Sequence, residues 1–385
     1  MSAGPPPPRD QASGFEAGRY LPVVDGLRAL SILAVLLYHD DSLLQGGFLG
    51  VDVFFVLSGF LITSLLFDEW RRHERIDLRA FYLRRALRLF PALFLLLAVS
   101  AAFALAFPSA SQSPHLLDGV KYSLLYVSNW ASSGDPMRFG PLGHTWSLSV
   151  EEQFYAIWPV LLIGLLALTR GKRSLAVGIA LLAVASAAWR ALLFTWGSTP
   201  WRLYTGTDSR ADSLFVGAAV AIAMVGGYLP RVRRPALARA VALLAAGVLT
   251  ALMFTTRLEW PVYYQGGFLL VSVAVGVLLV VLLSDPNWAL ARLLSARPIV
   301  WVGRLSYSLY LWHYPIFGFV KADRLGLGVR TVEVLRLVLA LGAAVGSYYL
   351  VERPLLRWKK SIGVRRAAPA DAAAVTVTAS AARLR

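Results

Sequence analysis

The chain has 385 residues, 57% of them hydrophobic and only 16% charged, and its formal net charge is +16. Soluble proteins carry about 25% charged residues, so this composition excludes an ordinary soluble domain. The arginines and lysines cluster in short segments between apolar runs, which is typical of membrane orientation signals and argues against nucleic acid as a partner. Cysteine is absent, which excludes disulfides, a thiolate nucleophile and thiolate metal ligands.

The two ends of the chain differ in composition from its body. Residues 1–20 contain a run of prolines and lack the basic and apolar regions of a cleaved signal peptide, so we expect a disordered tail. Residues 359–385 form a basic, Ala-rich tail without apolar periodicity. Residues 21–358 form the predicted membrane domain, and the short tail after it leads us to expect no attached soluble domain.

Apolar runs in the body are long enough to cross about 30 Å of hydrocarbon. They predict an all-α, polytopic transmembrane bundle of about ten helices. Arginines concentrate in alternate connecting segments, and this asymmetry predicts that both termini are cytoplasmic. The predicted spans lie near residues 23–44, 48–67, 89–107, 151–168, 174–194, 213–229, 237–256, 262–284, 299–320 and 332–350.

The first span contains two ionisable residues, Arg28 and His39. A charged side chain within a bilayer is energetically costly and is therefore a candidate functional residue. Eleven helical steps return to within about 20° of the starting direction, and the rise per residue separates the pair by about 16 Å. One long ligand can therefore contact both residues. An arginine reaching the headgroups and a histidine bonded between helices would explain the pair equally well.

Asp52 opens the second span next to glycines that permit close backbone approach, and Ser58 lies at mid-depth. The inner segment that follows contains Arg84, Arg85 and Arg88 just before the third span. Arg84 and Arg88 share a helix face, an arrangement suited to phosphate. Membrane orientation alone also requires arginines at this place, so both interpretations stay open.

The outer segment 108–149 is too long for a simple turn and is expected to form a lid or a re-entrant wall. At the start of the fourth span, Ser149 and Glu152 fit a capping box, in which each side chain bonds the backbone N–H of the other residue. Glu151 is not part of this capping box. It is predicted at the outer end of the fourth span, on the same side of the membrane as His39. A carboxylate there can orient an imidazole, and a solvated carboxylate at the helix mouth is the alternative.

The later spans contain further polar residues. His313 in the ninth span is expected to make a hydrogen bond between helices. Glu333 and Arg336, three residues apart in the tenth span, are expected to pair with each other. Aromatic residues of the outer segments either anchor the membrane interface or stack on sugar rings, and they include Trp130, Trp196, Trp201 and Tyr204.

Taken in chain order, these residues resemble the motifs of the acyltransferase-3 family of integral membrane acyltransferases. The match runs from about residue 20 to about residue 355 and covers nearly the whole hydrophobic body. The motifs are Asp25-Gly-Leu-Arg28 with His39, Gly50-Val-Asp52-Val-Phe-Phe-Val-Leu-Ser58-Gly-Phe, Arg84-Arg85-Ala-Leu-Arg88-Leu-Phe-Pro91, His144-Thr-Trp-Ser-Leu-Ser-Val-Glu151-Glu152-Gln-Phe-Tyr155, Gly303-Arg304-Leu-Ser-Tyr-Ser-Leu-Tyr-Leu-Trp-His313 and Val351-Glu352-Arg353-Pro354.

The resemblance implies a membrane-bound enzyme that O-acylates, usually O-acetylates, a sugar hydroxyl. The donor is expected to be cytoplasmic acyl-CoA, above all acetyl-CoA, without a metal. The acceptor is expected to be a carbohydrate in a surface polysaccharide, glycolipid or secreted glycoside. The protein is expected to lie in the lipid of a bacterial cytoplasmic membrane. Some relatives carry an extracytoplasmic hydrolase-like domain. This chain resembles the stand-alone form, so any relay of the acyl group outside the cytoplasm would need a separate protein.

The resemblance predicts catalytic residues toward the outer end and donor-binding residues toward the inner face. The catalytic set is His39 as general base or transient acyl carrier, Glu151 to orient the imidazole, and Asp52 as a weaker candidate. The donor-binding set is Arg28, Arg84, Arg85 and Arg88, which would hold the phosphates of acyl-CoA. A glycolipid or acyl-donor transporter without chemistry uses the same residue types and remains an alternative, as does an inactive sensor or scaffold.

Overall fold

A computed structural model describes residues 20–40, 44–108, 113–169, 171–228 and 234–357. Within these residues the chain is helical and contains no strand, which confirms the all-α prediction. Of the two predicted tails, 1–20 and 359–385, only Tyr20 is among the described residues, and the rest of both tails lies outside them.

Ten long helices follow one another in the described part of the chain. They are α1 (Pro22–His39), α2 (Leu49–His73), α3 (Leu78–Ala106), α4 (Trp146–Leu168), α5 (Lys172–Thr195), α6 (Thr207–Val225), α7 (Pro235–Thr255), α8 (Phe268–Ser284), α9 (Arg297–Phe319) and α10 (Val329–Ser347). Short helical segments connect or extend them, at Ser113–Leu124, Ser128–Ala131, Gly140–Thr145, Pro200–Thr205, Tyr263–Gly267, Ala289–Leu294, Ala322–Leu325 and Tyr348–Glu352.

Among the described helices, 8 are long and apolar enough to cross a membrane. The other two long helices, α6 and α9, coincide with predicted spans but are more polar. Asp208, Arg210 and Asp212 lie in the first turns of α6, and α9 contains Arg304 and His313. Neighbouring helices bury Arg210, Asp212 and His313, so these three residues face protein rather than lipid. The chain is therefore a polytopic helical membrane protein, as predicted.

Close backbone contacts hold the bundle together. α6 packs most extensively against α2 and α5, and α9 packs against α1 and α10. Where α2 crosses α6, a Cβ added to Gly59 would collide with the carbonyl of Leu214, and one added to Gly217 would collide with that of Val56. Small residues are required here because helices in lipid associate through close dispersion contacts rather than through the hydrophobic effect.

Helices α1 and α9 run in the same direction. Arg28 bonds to Ser306 toward one end of the bundle, and His39 contacts His313 toward the other end. Parallel packing is expected for two odd-numbered spans in a chain that crosses the membrane alternately. We name the end at which α1 begins the inner end and the opposite end the outer end, following the predicted orientation.

Three helices, α3, α4 and α6, begin at least five residues earlier than hydropathy predicted. Asp77 is the N-cap of α3 and accepts a hydrogen bond from the backbone N–H of Ala80. The arginines at positions 84, 85 and 88 therefore lie on a helix rather than in a loop. Helix α4 begins at Trp146, so Ser149 and Glu152 lie inside it and the predicted capping box is wrong.

The predicted pairing of Glu333 with Arg336 is also wrong. Arg330 pairs with Glu333 at 3.0 Å on the exposed side of α10. Arg336 instead reaches the end of α1, where its Nη1 lies 2.9 Å from Asp40 Oδ1. Only the tertiary packing of α10 against α9, which in turn packs on α1, makes this second partner available.

Candidate functional site

An inner cavity of about 150 Å³ lies between α1, α2, α3, α4 and α9. Apolar side chains of α2 form much of its wall. Its charged lining consists of three guanidinium groups and one carboxylate, an excess of positive charge that favours an anionic ligand. The polar residues that line it are Arg28, Arg85, Arg88, Glu151, Ser58, Ser147, Ser306, Tyr155, Tyr307 and Tyr310.

Two arginines in this cavity have guanidinium groups that a ligand can reach. Arg28 donates from Nε and Nη2 to Ser306 Oγ, at 3.1 and 2.9 Å. Both N–H groups of Arg28 therefore bond to the same buried hydroxyl. Among the described residues, Arg88 makes neither a hydrogen bond nor an ion pair, and its side chain is accessible. Guanidinium groups present several donors in a planar fork that matches phosphate.

Arg85 and Arg84 face different surroundings. The Arg85 guanidinium stacks 3.6 Å from the ring centroid of Tyr155, and its Nε lies 3.5 Å from Glu152 Oε1. Arg84 does not line the inner cavity, and its Nη2 lies 3.5 Å from Glu69 Oε2. The structure therefore brings Arg85 and Arg88 into one cavity with the arginine of α1, while Arg84, one helical turn before Arg88, lies outside this cavity.

Glu151 lies in the inner cavity and is bonded to α2. Ser58 Oγ donates to Glu151 Oε1 at 2.6 Å. The predicted contact between Glu151 and His39 is not found, because His39 lines a different cavity and bonds to Val35 and His313. Among the described residues, His39 contacts no carboxylate. The sequence placed Glu151 too near the outer end because it started α4 too late.

Asp52 belongs to a buried ionic network rather than to the surroundings of His39. Its Oδ1 lies 2.5 Å from Arg210 Nη2, and both side chains are fully buried. A second fully buried pair, Arg190 with Asp212 at 2.8 Å, lies on α5 and α6. The predicted role of Asp52 in orienting His39 is therefore not supported. Its partners join α2 to α6, which is a structural task.

An outer cavity of about 180 Å³ lies at the opposite end of α1. Residues between 136 and 144 of the predicted outer segment 108–149 line one side of it, as expected for a wall or lid, and the helix Pro200–Thr205 contributes two aromatic side chains. Of the four aromatic residues singled out for stacking on sugars, Trp201 and Tyr204 line this cavity and Trp130 and Trp196 do not. The residues that line it include Tyr38, His39, Phe48, Pro136, Met137, His144, Trp146, Trp201, Tyr204 and Tyr314.

Three histidine rings meet beside the outer cavity. The centroid of the His313 ring lies 5.2 Å from that of His39 and 5.6 Å from that of His144. His313 Nε2 is 3.3 Å from His39 Nδ1, which confirms the predicted hydrogen bond between helices. His144 is 2% exposed, and neither of its ring nitrogens has a hydrogen-bond partner among the described residues. This grouping was not predictable from the sequence, because α1, α9 and the turn before α4 come together only in the folded protein.

Two residues line both cavities, Val51 of α2 and Tyr310 of α9. The Tyr310 hydroxyl lies 2.5 Å from Ser147 Oγ and donates to the carbonyl of His144 at 3.0 Å. The inner and outer cavities are therefore adjacent, with one aliphatic and one aromatic side chain at their boundary. A ligand that passes this boundary can touch the arginines and His39 at once.

The fold and these two adjoining cavities define a multi-pass membrane protein with a site inside its helical bundle. The profile of the Acyltransferase domain family matches residues 21–353. The chain therefore belongs to this family of acyltransferase domains.

Curated relatives carry names that agree with this family. The chain is 37% identical over 317 residues to the peptidoglycan O-acetyltransferase OatA of Listeria monocytogenes, covering 77% of this chain and 49% of that protein. It is 34% identical over 355 residues to the O-acetyltransferase OatA of Staphylococcus aureus, covering 88% and 57%. The chain thus spans about half the length of these relatives. No solved structure matches the chain.

Proposed function

We propose that this chain is a membrane-bound O-acyltransferase of the bacterial cytoplasmic membrane. It transfers an acyl group, acetyl by analogy with the names of its relatives, from cytoplasmic acyl-CoA to a sugar hydroxyl on the outer side. One observation carries the proposal: an arginine-lined inner cavity adjoins a histidine-lined outer cavity. This arrangement suits a donor with a polyanionic end and a distant reactive end.

The donor occupies the inner cavity in this proposal. Arg28, Arg85 and Arg88 bind the phosphates, because paired charge-assisted bonds to guanidinium groups are about twice as strong as neutral hydrogen bonds. The pantetheine arm extends toward Val51 and Tyr310. Arg28 and His39 are separated by about 16 Å along the axis of α1. An extended pantetheine arm can bridge this distance, whereas a direct contact between the two side chains cannot.

His39 performs the chemistry at the outer side of the boundary. The acceptor hydroxyl oxygen attacks the thioester carbonyl carbon while His39 removes the hydroxyl proton. The carbon–sulfur bond breaks, and the proton passes to the leaving sulfur, giving CoA and an O-acyl ester. In the covalent alternative, the acyl group is transferred first to the His39 imidazole and then to the acceptor hydroxyl.

The acceptor occupies the outer cavity. Aromatic side chains such as Trp201 and Tyr204 offer faces for a sugar ring, and polar groups of the outer wall select its hydroxyls. The relatives named for peptidoglycan make an amino-sugar glycan the first acceptor to examine. A separate extracytoplasmic relay protein, implied by the resemblance, stays a prediction.

Labelled acetyl-CoA tests the proposal directly. Membranes that contain the protein are expected to release free CoA and to incorporate label into an extractable glycan, and His39→Ala is expected to abolish both signals. Binding of acetyl-CoA to the His39→Ala variant should persist, because the arginines of the inner cavity are intact. Movement of an unmodified glycolipid without any CoA release would instead favour a transporter.

A further inference from the structure

We infer that His313 positions His39 for catalysis. The sequence had predicted a carboxylate, Glu151, for this role. The inference deepens the proposed function and rests on it. Its basis is the set of hydrogen-bond acceptors around the two rings, which fixes the proton on each imidazole.

The proton of neutral His313 is on Nδ1. This nitrogen lies 3.1 Å from the carbonyl oxygen of Leu309 and 2.8 Å from that of Tyr310. Carbonyl oxygens only accept hydrogen bonds, so Nδ1 must donate. Since a neutral imidazole carries one N–H, Nε2 of His313 holds a lone pair and is an acceptor.

The same reasoning applies to His39. Its Nδ1 lies 3.0 Å from the carbonyl oxygen of Val35 and 3.3 Å from Nε2 of His313. Both neighbours are acceptors, so Nδ1 of His39 carries the proton and shares it between them. The lone pair of neutral His39 is then on Nε2, the nitrogen a general base needs, and this atom has no hydrogen-bond partner among the described residues.

His313 also constrains the orientation of the His39 ring. The Val35 carbonyl is on the same helix, four residues earlier, and already belongs to the backbone hydrogen-bond ladder of α1. His313 adds a second acceptor, from α9. The His313 ring is fully buried and bonded to two backbone carbonyls. When His39 accepts the hydroxyl proton on Nε2, its Nδ1–H keeps both acceptors, so no proton moves to His313.

Two amide variants separate this role from simple packing. In His313→Asn the amide nitrogen occupies the place of Nδ1 and can still donate to the Leu309 and Tyr310 carbonyls, but the side chain is too short to reach His39. In His313→Gln the amide oxygen reaches the place of Nε2 and can accept from His39. The two variants differ by one methylene and present the same polar group.

We expect His313→Gln to retain kcat to within about tenfold and His313→Asn to lose about 100-fold or more, which is the range of general-base contributions. The KM for acetyl-CoA should be unchanged in both, because the inner cavity is untouched. A detergent-purified sample of each variant is checked for a single size-exclusion peak. Activity is measured in bacterial membranes that contain the variant, as release of free CoA from acetyl-CoA. A folded His313→Asn protein with normal kcat overturns the inference, as does a folded His313→Gln protein as slow as the asparagine variant.

His39→Ala, measured alongside, distinguishes the two levels of the argument. If His39→Ala transfers acetyl normally, the proposed catalytic role of His39 fails. If His39→Ala is inactive and His313→Asn is normal, only the positioning role of His313 fails.

Discussion

The hydroxyl of Tyr310 lies 2.5 Å from Ser147 Oγ, at the boundary that the inner and outer cavities share. This contact joins α9 to the first turn of α4. Because Val51 is the other residue that lines both cavities, the space between Val51 and Tyr310 is the route by which a donor arm would reach His39. The predictions below follow from this division of the site.

Enlarging Val51 should block transfer without weakening donor binding. A Val51→Phe side chain adds bulk where the cavities meet, while the arginines that bind phosphate lie in the inner cavity. Transfer of label from acetyl-CoA is expected to fall at least about tenfold, which corresponds to about 1.4 kcal/mol on the barrier. Isothermal titration with CoA should give an unchanged Kd. Val51→Ala is the matched control and should transfer normally, and equal losses in both variants would contradict the route.

Neutralising Arg88 should weaken donor binding far more than neutralising Arg84. Arg88 opens into the inner cavity, whereas Arg84 lies beside Glu69 outside it. Loss of one charge-assisted hydrogen bond amounts to about 1.5–3 kcal/mol, so Arg88→Gln should raise the Kd for CoA about 10- to 100-fold. Arg84→Gln changes a partly exposed side chain outside the inner cavity, where solvent screens its charge, and should change the Kd less than about fivefold. Equal effects at both positions would favour a diffuse electrostatic attraction instead.

Asp52→Asn should reduce stability rather than chemistry. Removing one partner leaves the Arg210 guanidinium buried without its counter-charge, which is expected to destabilise the protein by about 3–5 kcal/mol. The thermal midpoint in detergent should fall clearly. Asp208→Asn, which disrupts the partly exposed pair with Arg202, should lower it by much less.

A double variant distinguishes this structural role from catalysis. Asp52→Asn combined with Arg210→Met removes both charges and should recover part of the lost stability, since no buried charge is left unpaired. Transfer by the folded fraction should remain measurable. An Asp52→Asn protein with a normal thermal midpoint and no transfer would restore the catalytic role that the sequence suggested.

Trp201 and Trp196 should differ in their effect on the acceptor. Trp201 lines the outer cavity and donates from Nε1 to the carbonyl of Ser132 at 2.8 Å, while Trp196 is 65% exposed and does not line it. Replacing Trp201 with Phe should raise the KM for the glycan acceptor several-fold, because the hydrogen bond that holds the ring is lost. The KM for acetyl-CoA should not change. Trp196→Phe is the control, and a similar rise there would point to a general effect of the membrane interface.

Several features of the site could be predicted from the sequence alone. The spacing of Arg28 and His39 on one helix gave their separation because helix geometry is local. The helix–helix bond of His313 and the contribution of segment 108–149 to an outer wall also agree with the structure. These features depend on periodicity, segment length and the energetic cost of polar groups in lipid.

The partners of the ionisable residues were not predictable in the same way. Glu151 bonds Ser58, and Asp52 bonds Arg210. Each contact joins two helices that are far apart in the chain, and sequence spacing carries no information on which helices become neighbours. An error of a few residues at a helix start also moved Glu151 to the wrong depth.

The sequence by itself determined the class of the protein, the approximate positions of its long helices, and the residues whose burial demands an explanation. Hydropathy, charge asymmetry and helix geometry act locally, so they can be derived without a fold. Only the tertiary structure decided which of those residues share a cavity. The packing of α9 against α1 placed His313, rather than a carboxylate, beside His39. The packing of α6 against α2 directed Asp52 into the buried ionic network.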